Sequence, residues 1–359
     1  MKRFWVILWG VCLACGLTAC KQETVEEKAV EQGVKPAAET LAEPAPVYPP
    51  APELPPALET LHIAVISDIN ESYGTVGYSP TVRAAVEDII RRKVDFVVSP
   101  GDLVAGQKQG LDYDAMWKGF HYQVGDVFFD NDIEFIMAPG NHDASAYPQY
   151  FAERQAMTRA FENRKPKSPL LEGSHYPFYY AVKIRDVLVV ALDITRPLSD
   201  DDPQLEWLEE ILAHHASPRA NLILGHLPIF PIDFGSFWEV ANSRRFLDIL
   251  RAAPSPTLYL SGHHHIFYPA HVDELRLIAC PALGADPRSM NGGKRLGGYV
   301  MIEIPPQAPP KVSALIAPDF TRSIDIQSLP VRRIMLERED IGMAEYIMEM
   351  LDDSIVEGK

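Results

Sequence analysis

Nothing in this 359-residue chain gathers lysine and arginine into a stripe, and the formal net charge is −16. A surface for duplex nucleic acid normally carries such a stripe, so nucleic acid is not an expected partner. Internal repeats are absent too, which removes stacked-repeat architectures. Long apolar runs are scarce. Phe4 to Leu17 is the stretch that comes nearest to one, and it is too short to cross about 30 Å of hydrocarbon comfortably. Cysteine is scarce as well, with Cys12, Cys15 and Cys20 at the start and only Cys280 in the body.

What is present at the start explains itself. Lys2 and Arg3 precede the apolar stretch, and Leu17-Thr18-Ala19-Cys20 closes it. Charge, apolar segment and small residues make a secretory signal, and the ending resembles the bacterial lipobox. That resemblance implies cleavage after residue 19 and lipidation of Cys20. Cys280 then stands alone, so no intrachain disulfide is possible in the mature chain. Lys21, by resemblance to lipoprotein sorting, implies the outer membrane, facing the periplasm, if the host is Gram-negative. Residues 20–60, dense in Pro, Ala and Glu from Pro36 to Pro56, read as a tether that cannot bury enough apolar surface to fold.

After Thr60 strand-like and helix-like runs alternate. Strands are expected at Leu61–Ile66, Asp95–Val98, Ile133–Met137, Tyr179–Val182, Val187–Leu192, Asn221–Leu224, Thr257–Leu260, Leu275–Ala279, Tyr299–Ile304 and Lys311–Ile316. Helices are expected at Ser79–Lys93, Ala115–Phe128, Gln204–Ala213 and Phe237–Ala252. This alternation is the signature of α/β layering. Ala144–Pro177 is weakly patterned and reads as an insertion over one sheet edge. Ile341, Ala344, Ile347, Met348 and Leu351 have helical spacing and predict one helix in a C-terminal extension, residues 319–359, packed on the body.

The chemistry-bearing residues follow the strands: Asp68 and Asn70, then Asp102, then Asn141-His142-Asp143, then His226, then His263-His264-His265, with Asp193 a weaker member. Ligands of open α/β sheets bind beyond the carboxyl ends of strands, so one rule brings these residues to a common edge. Carboxylate, amide oxygen and imidazole together suit Mn, Fe or Zn better than an all-oxygen calcium site. In an extended segment alternate side chains share a face, which points His263 and His265 inward and His264 away. Glycines before four of the clusters admit close backbone approach. Two divalent ions roughly 3.5–4 Å apart need a bridging anion, for which Asp102 is the natural candidate, and would generate hydroxide from bound water.

Asp68-Ile69-Asn70, Gly101-Asp102, Gly140-Asn141-His142-Asp143, Gly225-His226 and Gly262-His263-His264-His265 resemble, in order, the motifs of the calcineurin-like metallophosphoesterase family, over about residues 61–318. The resemblance implies a four-layer αββα sandwich of two mixed β-sheets flanked by helices, with a dinuclear metal site at strand C-terminal ends. It implies that Asp68 and His265 hold the first metal, Asp102 bridges, and Asn141, His226 and His263 hold the second. His142, oriented by Asp143, would be the general acid. Hydrolysis of a phosphomonoester or phosphodiester outside the cytoplasm follows, on a phosphorylated small molecule or nucleotide, by a monomer held to the membrane through its N-terminal lipid.

One position departs from the pattern. The family usually has His where this chain has Asn70. Asn70 ligates, or it hydrogen-bonds a water on the metal, or the first site is lost. With every other ligand present, an active enzyme with a weaker or harder first ion is expected over a catalytically degenerate envelope lipoprotein. Arg185, Arg244 and Arg245 are expected on solvated faces, and Arg164, Lys165 and Lys167 form a small basic island in the insertion.

Overall fold

The computed structural model describes residues 59–329 and 332–333, apart from 218, 231–240, 242 and 289–294. The expected lipidation site at Cys20, nearly all of the tether and the helix expected around 341–351 lie outside the described residues.

Two sheets form the centre. The first has strand order β12-β11-β10-β1-β2-β3, with β1 (Leu61–Val65), β2 (Phe96–Ser99), β3 (Glu134–Met137), β10 (Gly298–Ile304), β11 (Lys311–Ile316) and β12 (Arg322–Asp325). Strands β1 to β3 run parallel, while β10 to β12 join antiparallel. The second sheet has order β13-β8-β9-β7-β6-β5-β4. It comprises β4 (Tyr180–Ile184), β5 (Val187–Ala191), β6 (Ala220–Leu224), β7 (Thr257–Ser261), β8 (Tyr268–Val272), β9 (Leu275–Ala279) and the short β13 (Arg332–Arg333). Strands β5, β6, β7 and β9 are parallel neighbours.

Alternation along the strands explains the layers. Ile63, Val65, Phe96 and Val98 of the first sheet share one buried cluster with Val187, Val189, Leu222 and Leu258 of the second. The alternate residues face outward: Ala64 and Val97 pack on one set of helices, Leu188, Val190 and Ile223 on another. A strand buried on both faces must be apolar at every position, as β5 is. The helices are α1 (Pro80–Arg92), α2 (Tyr113–Phe120), α3 (Asp126–Asp130), α4 (Asn141–Ala144), α5 (Phe151–Phe161), α6 (Pro203–His215) and α7 (Arg244–Ala252). The expected four-layer sandwich is the observed one.

Local chemistry sets several ends. Ser79 caps α1 by accepting from Val82 N, with Pro80 in the first turn, and Asp202 does the same for α6 through Gln204 N, since helix starts leave N–H groups unsatisfied. The helix expected over Ala115–Phe128 is instead α2 and α3 joined by a turn of π-helix, His121–Gly125. The insertion carries a helix that periodicity did not reveal, α5, because charged Glu153 occupies a buried position on it. Strand β8 escapes sequence reading because Pro269 and His271 interrupt its pattern, and proline argues against a strand interior. Strand β12 adds to the first sheet past residue 318, so that sheet does not stop at the expected domain boundary.

Candidate metal centre

Each expected residue stands just past a strand. Asp68 and Asn70 follow β1, Asp102 follows β2, Asn141 to Asp143 form α4 after β3, His226 follows β6 and His263 to His265 follow β7. The parallel strands of both sheets end at one rim of the sandwich, and their loops cross-tie there. Asp68 N donates to Gly101 O at 3.1 Å, and Ile69 N donates to Asp102 O at 3.0 Å. His263 N donates to Asp68 Oδ1 at 3.1 Å, which joins the two sheets across the site.

The loops approach so closely that side chains would collide. A Cβ on Gly101, where φ is +106°, would lie 2.4 Å from Gly140 N, and one on Gly140 would lie 2.1 Å from Asp102 Oδ1. Gly101 and Gly140 therefore serve the contact of loop with loop. Asp68, Asp102, His263 and His265 have left-handed backbones, with φ of 50°, 59°, 64° and 58°. Non-glycine residues in this region cluster where function holds them. The histidine segment is thus not extended: His263 and His265 both reach the site, by left-handed turns and not by alternation.

Three donor sets converge first. Ligand atoms of Asp68, Asp102 and His226, all buried, lie within 4.8 Å of one another. His226 Nε2 is 3.3 Å from Asp102 Oδ2, and its Nδ1 faces Pro100 O at 3.0 Å. That places the N–H on Nδ1 and turns Nε2 toward the carboxylates, the second-partner pattern of metal-bound imidazole. His265 Nε2 lies 3.2 Å from Asp68 Oδ1, with its Nδ1 2.9 Å from Asp286 O. Asn141 Oδ1 lies 2.9 Å from His263 Nδ1, and Asn141 Nδ2 donates to Gln107 Oε1 at 3.0 Å. Asn70 Oδ1 is buried without a hydrogen-bond partner. An acceptor left so is costly, and a cation would satisfy it.

The electrostatics agree with a cation site. Burial opposes charge on His226, yet Asp102 and Asp68 outweigh it and raise the imidazole to about 9. Burial would raise Asp102, but His226 and His142 hold its carboxyl below the ordinary range. His263 is pushed down to about 3, chiefly by burial and then by His226. Two buried carboxylates this close draw in positive charge, and protons on imidazoles supply it when no metal does.

His142 stands at the edge, its Nε2 4.0 Å from Asp102 Oδ2. Its orientation corrects the expectation. Asp143 does not touch the ring, because its carboxylate accepts from the backbone N–H of Asp102, Leu103, Val104 and Gly140 at 2.7–2.9 Å. The ring is set instead by Gly106 O, 3.0 Å from Nδ1. Asp143 is a buried clamp on the β2 loop. Asp193 binds Arg154 of α5 at 2.6 Å and so fastens the insertion, not the metal site. His264 is buried beside His263. Arg185, Arg244 and Arg245 pair with Asp95, Asp248 and Glu209, while Arg164 and Lys167 pair with Asp126 and Asp132.

Sequence reasoning missed Gly106, Gln107, Glu153, Tyr73 and Arg288. Glu153 Oε1 accepts from Gln107 N at 2.7 Å. Arg288 N donates to His265 O at 3.2 Å, and the Asp68 charge acts on its guanidinium against burial. None sits in a motif, so spacing carried no signal for them.

The sequence matches the family described as calcineurin-like phosphoesterase over residues 61–267. No curated protein matches the chain. Among solved structures, the fold is similar to a purple acid phosphatase from yellow lupin (Lupinus luteus) seeds, with TM-score 0.56 and 14% identity, covering 78% of this chain and 55% of that one. The chain therefore spans about half the length of that phosphatase. It is also similar to GAP50, the anchor in the inner membrane complex of Plasmodium, with TM-score 0.50 and 15% identity, covering 74% of this chain and 88% of that one. Likenesses at such identities speak for the fold alone.

Proposed function

The chain belongs to the calcineurin-like phosphoesterase family, hydrolases of phosphoric esters that work with divalent metal, and on that premise we propose that it cleaves a phosphomonoester or phosphodiester at a dinuclear centre. Asp68, Asn70 and His265 would hold one ion, Asn141, His226 and His263 the other, and Asp102 would be shared. The observation that carries this reading is the convergence of Asp68, Asp102 and His226 within 4.8 Å, beside the unpartnered oxygen of Asn70. When bound, such a pair of ions, Mn, Fe or Zn by ligand type, polarises the phosphoryl group and makes water nucleophilic near neutral pH.

The chain's own residues do the rest. With Nδ1–H fixed on Gly106 O, His142 carries its transferable proton at Nε2 and delivers it to the leaving oxygen. Asp143 takes no part in proton transfer; it holds the loop that presents Asp102. Metal analysis of the purified protein, with hydrolysis of p-nitrophenyl phosphate, tests the reading. His142→Ala should lower kcat by about 10²–10⁴-fold with metal content and Tm unchanged. Absence of both transition metal and activity would overturn it. Asn70 in place of the usual His favours one rival, a non-catalytic envelope lipoprotein, which requires His142→Ala to change nothing.

The sequence also supports a location. Residues 1–19 would be a signal peptide, Cys20 the lipid anchor, 20–60 the tether and the two-sheet body from residue 61 through β12 the catalytic part, with the protein in the cell envelope. Cys20→Ala should move the protein from the membrane to the soluble fraction, and unchanged partition counts against the anchor.

A further inference from the structure

We propose that Tyr73 determines specificity by accepting a flat aromatic leaving group against its ring, at the mouth of the metal centre. The inference rests on the phosphoesterase reading above. Tyr73 is 55% exposed, yet it is no loose surface residue. Its ring lies 5.5 Å from that of His142, centroid to centroid, at an interplanar angle of 26°. His142 Nε2 in turn lies 4.0 Å from Asp102 Oδ2, so the tyrosine stacks on the same imidazole that looks toward the metal ligands.

The ring is presented by a fixed turn. Gly74 N donates to Ala105 O at 2.8 Å and Thr75 N to Ser72 O at 3.0 Å, while Thr75 Oγ1 donates to Ser72 O at 2.6 Å. Gly74 has φ of +82°, and a Cβ there would lie 3.0 Å from Leu111 Cδ2. The loop that receives this turn at Ala105 also carries Gly106, whose carbonyl orients His142. One segment thus anchors both the acid and the backbone that carries the platform. A leaving group protonated by His142 would find the exposed ring of Tyr73 beside that imidazole. A planar one stacks on it and gains apolar and π contact, whereas a small aliphatic one leaves the ring in water.

Two sources share that chemistry, aryl phosphates and nucleotides. The test uses phosphonates, which lack an ester bond to break, so binding is read without turnover. Calorimetry on the metal-loaded protein should show phenylphosphonate binding about fivefold more tightly than methylphosphonate, the low end of what one stacked ring contributes. Tyr73→Phe should keep that ratio and Tyr73→Ala should bring it to about one. A wild-type ratio of one overturns the proposal, as does a Tyr73→Ala variant that weakens both ligands equally, the result if the tyrosine only props His142. Tyr73-dependent binding without any ester cleavage would refute the phosphoesterase reading and leave the stacking site standing. Cleavage of glycerol phosphate with no aromatic preference would do the reverse. Comparing kcat/KM for phenyl phosphate and for a nucleoside monophosphate, each relative to glycerol phosphate, then assigns the source of the ring.

Discussion

Asn141 and Asn70 are the same residue type at two corners of one site, and their amides are held in opposite ways. Asn141 is braced from behind: Gln107 takes its Nδ2, and Glu153 of the insertion holds Gln107 by the backbone. The oxygen of Asn141 is thereby aimed before any ion arrives. Asn70 has a buried oxygen with no such partner, and the histidine that shares its corner, His265, is more exposed than the fully buried His226. A ligand fixed in advance loses less freedom on binding, and loss of a supporting partner costs about 10–100-fold in metal affinity or activity. The braced corner should therefore keep its ion when the open corner gives its own up.

The change that breaks both corners at once is Asp102→Ala. Asp102 lies against His226 and beside the Asp68 carboxylate, and its Oδ1 accepts from His142 N at 2.9 Å. Both ions and all turnover should be lost, read by elemental analysis and p-nitrophenyl phosphate hydrolysis, with the fold checked by circular dichroism. A variant that retains one full equivalent of metal would show that the corners do not share this carboxylate.

How far the sequence showed this site follows from which residues lie in motifs. The strand-end rule brought Asp68, Asp102, Asn141, His226, His263 and His265 to one rim, because apolar runs and the turn after each strand are both local signals. The layering was legible for the same reason: β5 is apolar at all five positions, as a strand between two layers must be. What was not legible is long-range. Gly106 reaches His142 across 36 positions and Glu153 reaches Gln107 across 46, and no periodicity encodes such pairs. The orienting role of Asp143 came from the family resemblance alone, whereas the helical turn of α4 sends its carboxylate back to the β2 loop.

A smaller effect tests the brace itself. Burial pushes Glu153 from an ordinary 4.5 up to about 7, against the backbone N–H that it accepts. Glu153→Ala should lower kcat by about 10–100-fold and loosen metal, KM moving less, while Glu153→Gln, which keeps an acceptor, should restore most of the loss. The sign of the pH effect follows from linkage. An acid whose folded pKa is raised lowers stability as pH climbs from 4.5 to about 7. The gain in Tm of Glu153→Gln over wild type should accordingly be larger at pH 8 than at pH 5. Equal gains would mean that Glu153 is not held near neutrality by its burial.

The smallest change sharpens the comparison at the open corner. Asn70→His puts an imidazole where the amide oxygen stands, next to Asp68 and within the reach of a backbone already fixed by the bond from Asn70 N to Asp102 O at 3.2 Å. Imidazole is the softer and stronger ligand for late divalent ions, so the first ion should be retained roughly tenfold better, with the preference moving from Mn toward Zn. Dialysis against graded chelator separates the corners: wild type should release one equivalent early and the second late, and the variant should release both late. Release of both wild-type equivalents together would show that the brace behind Asn141 confers no advantage. An early first release that Asn70→His does not delay would instead trace the weakness to the exposure of His265, which the substitution leaves as it was.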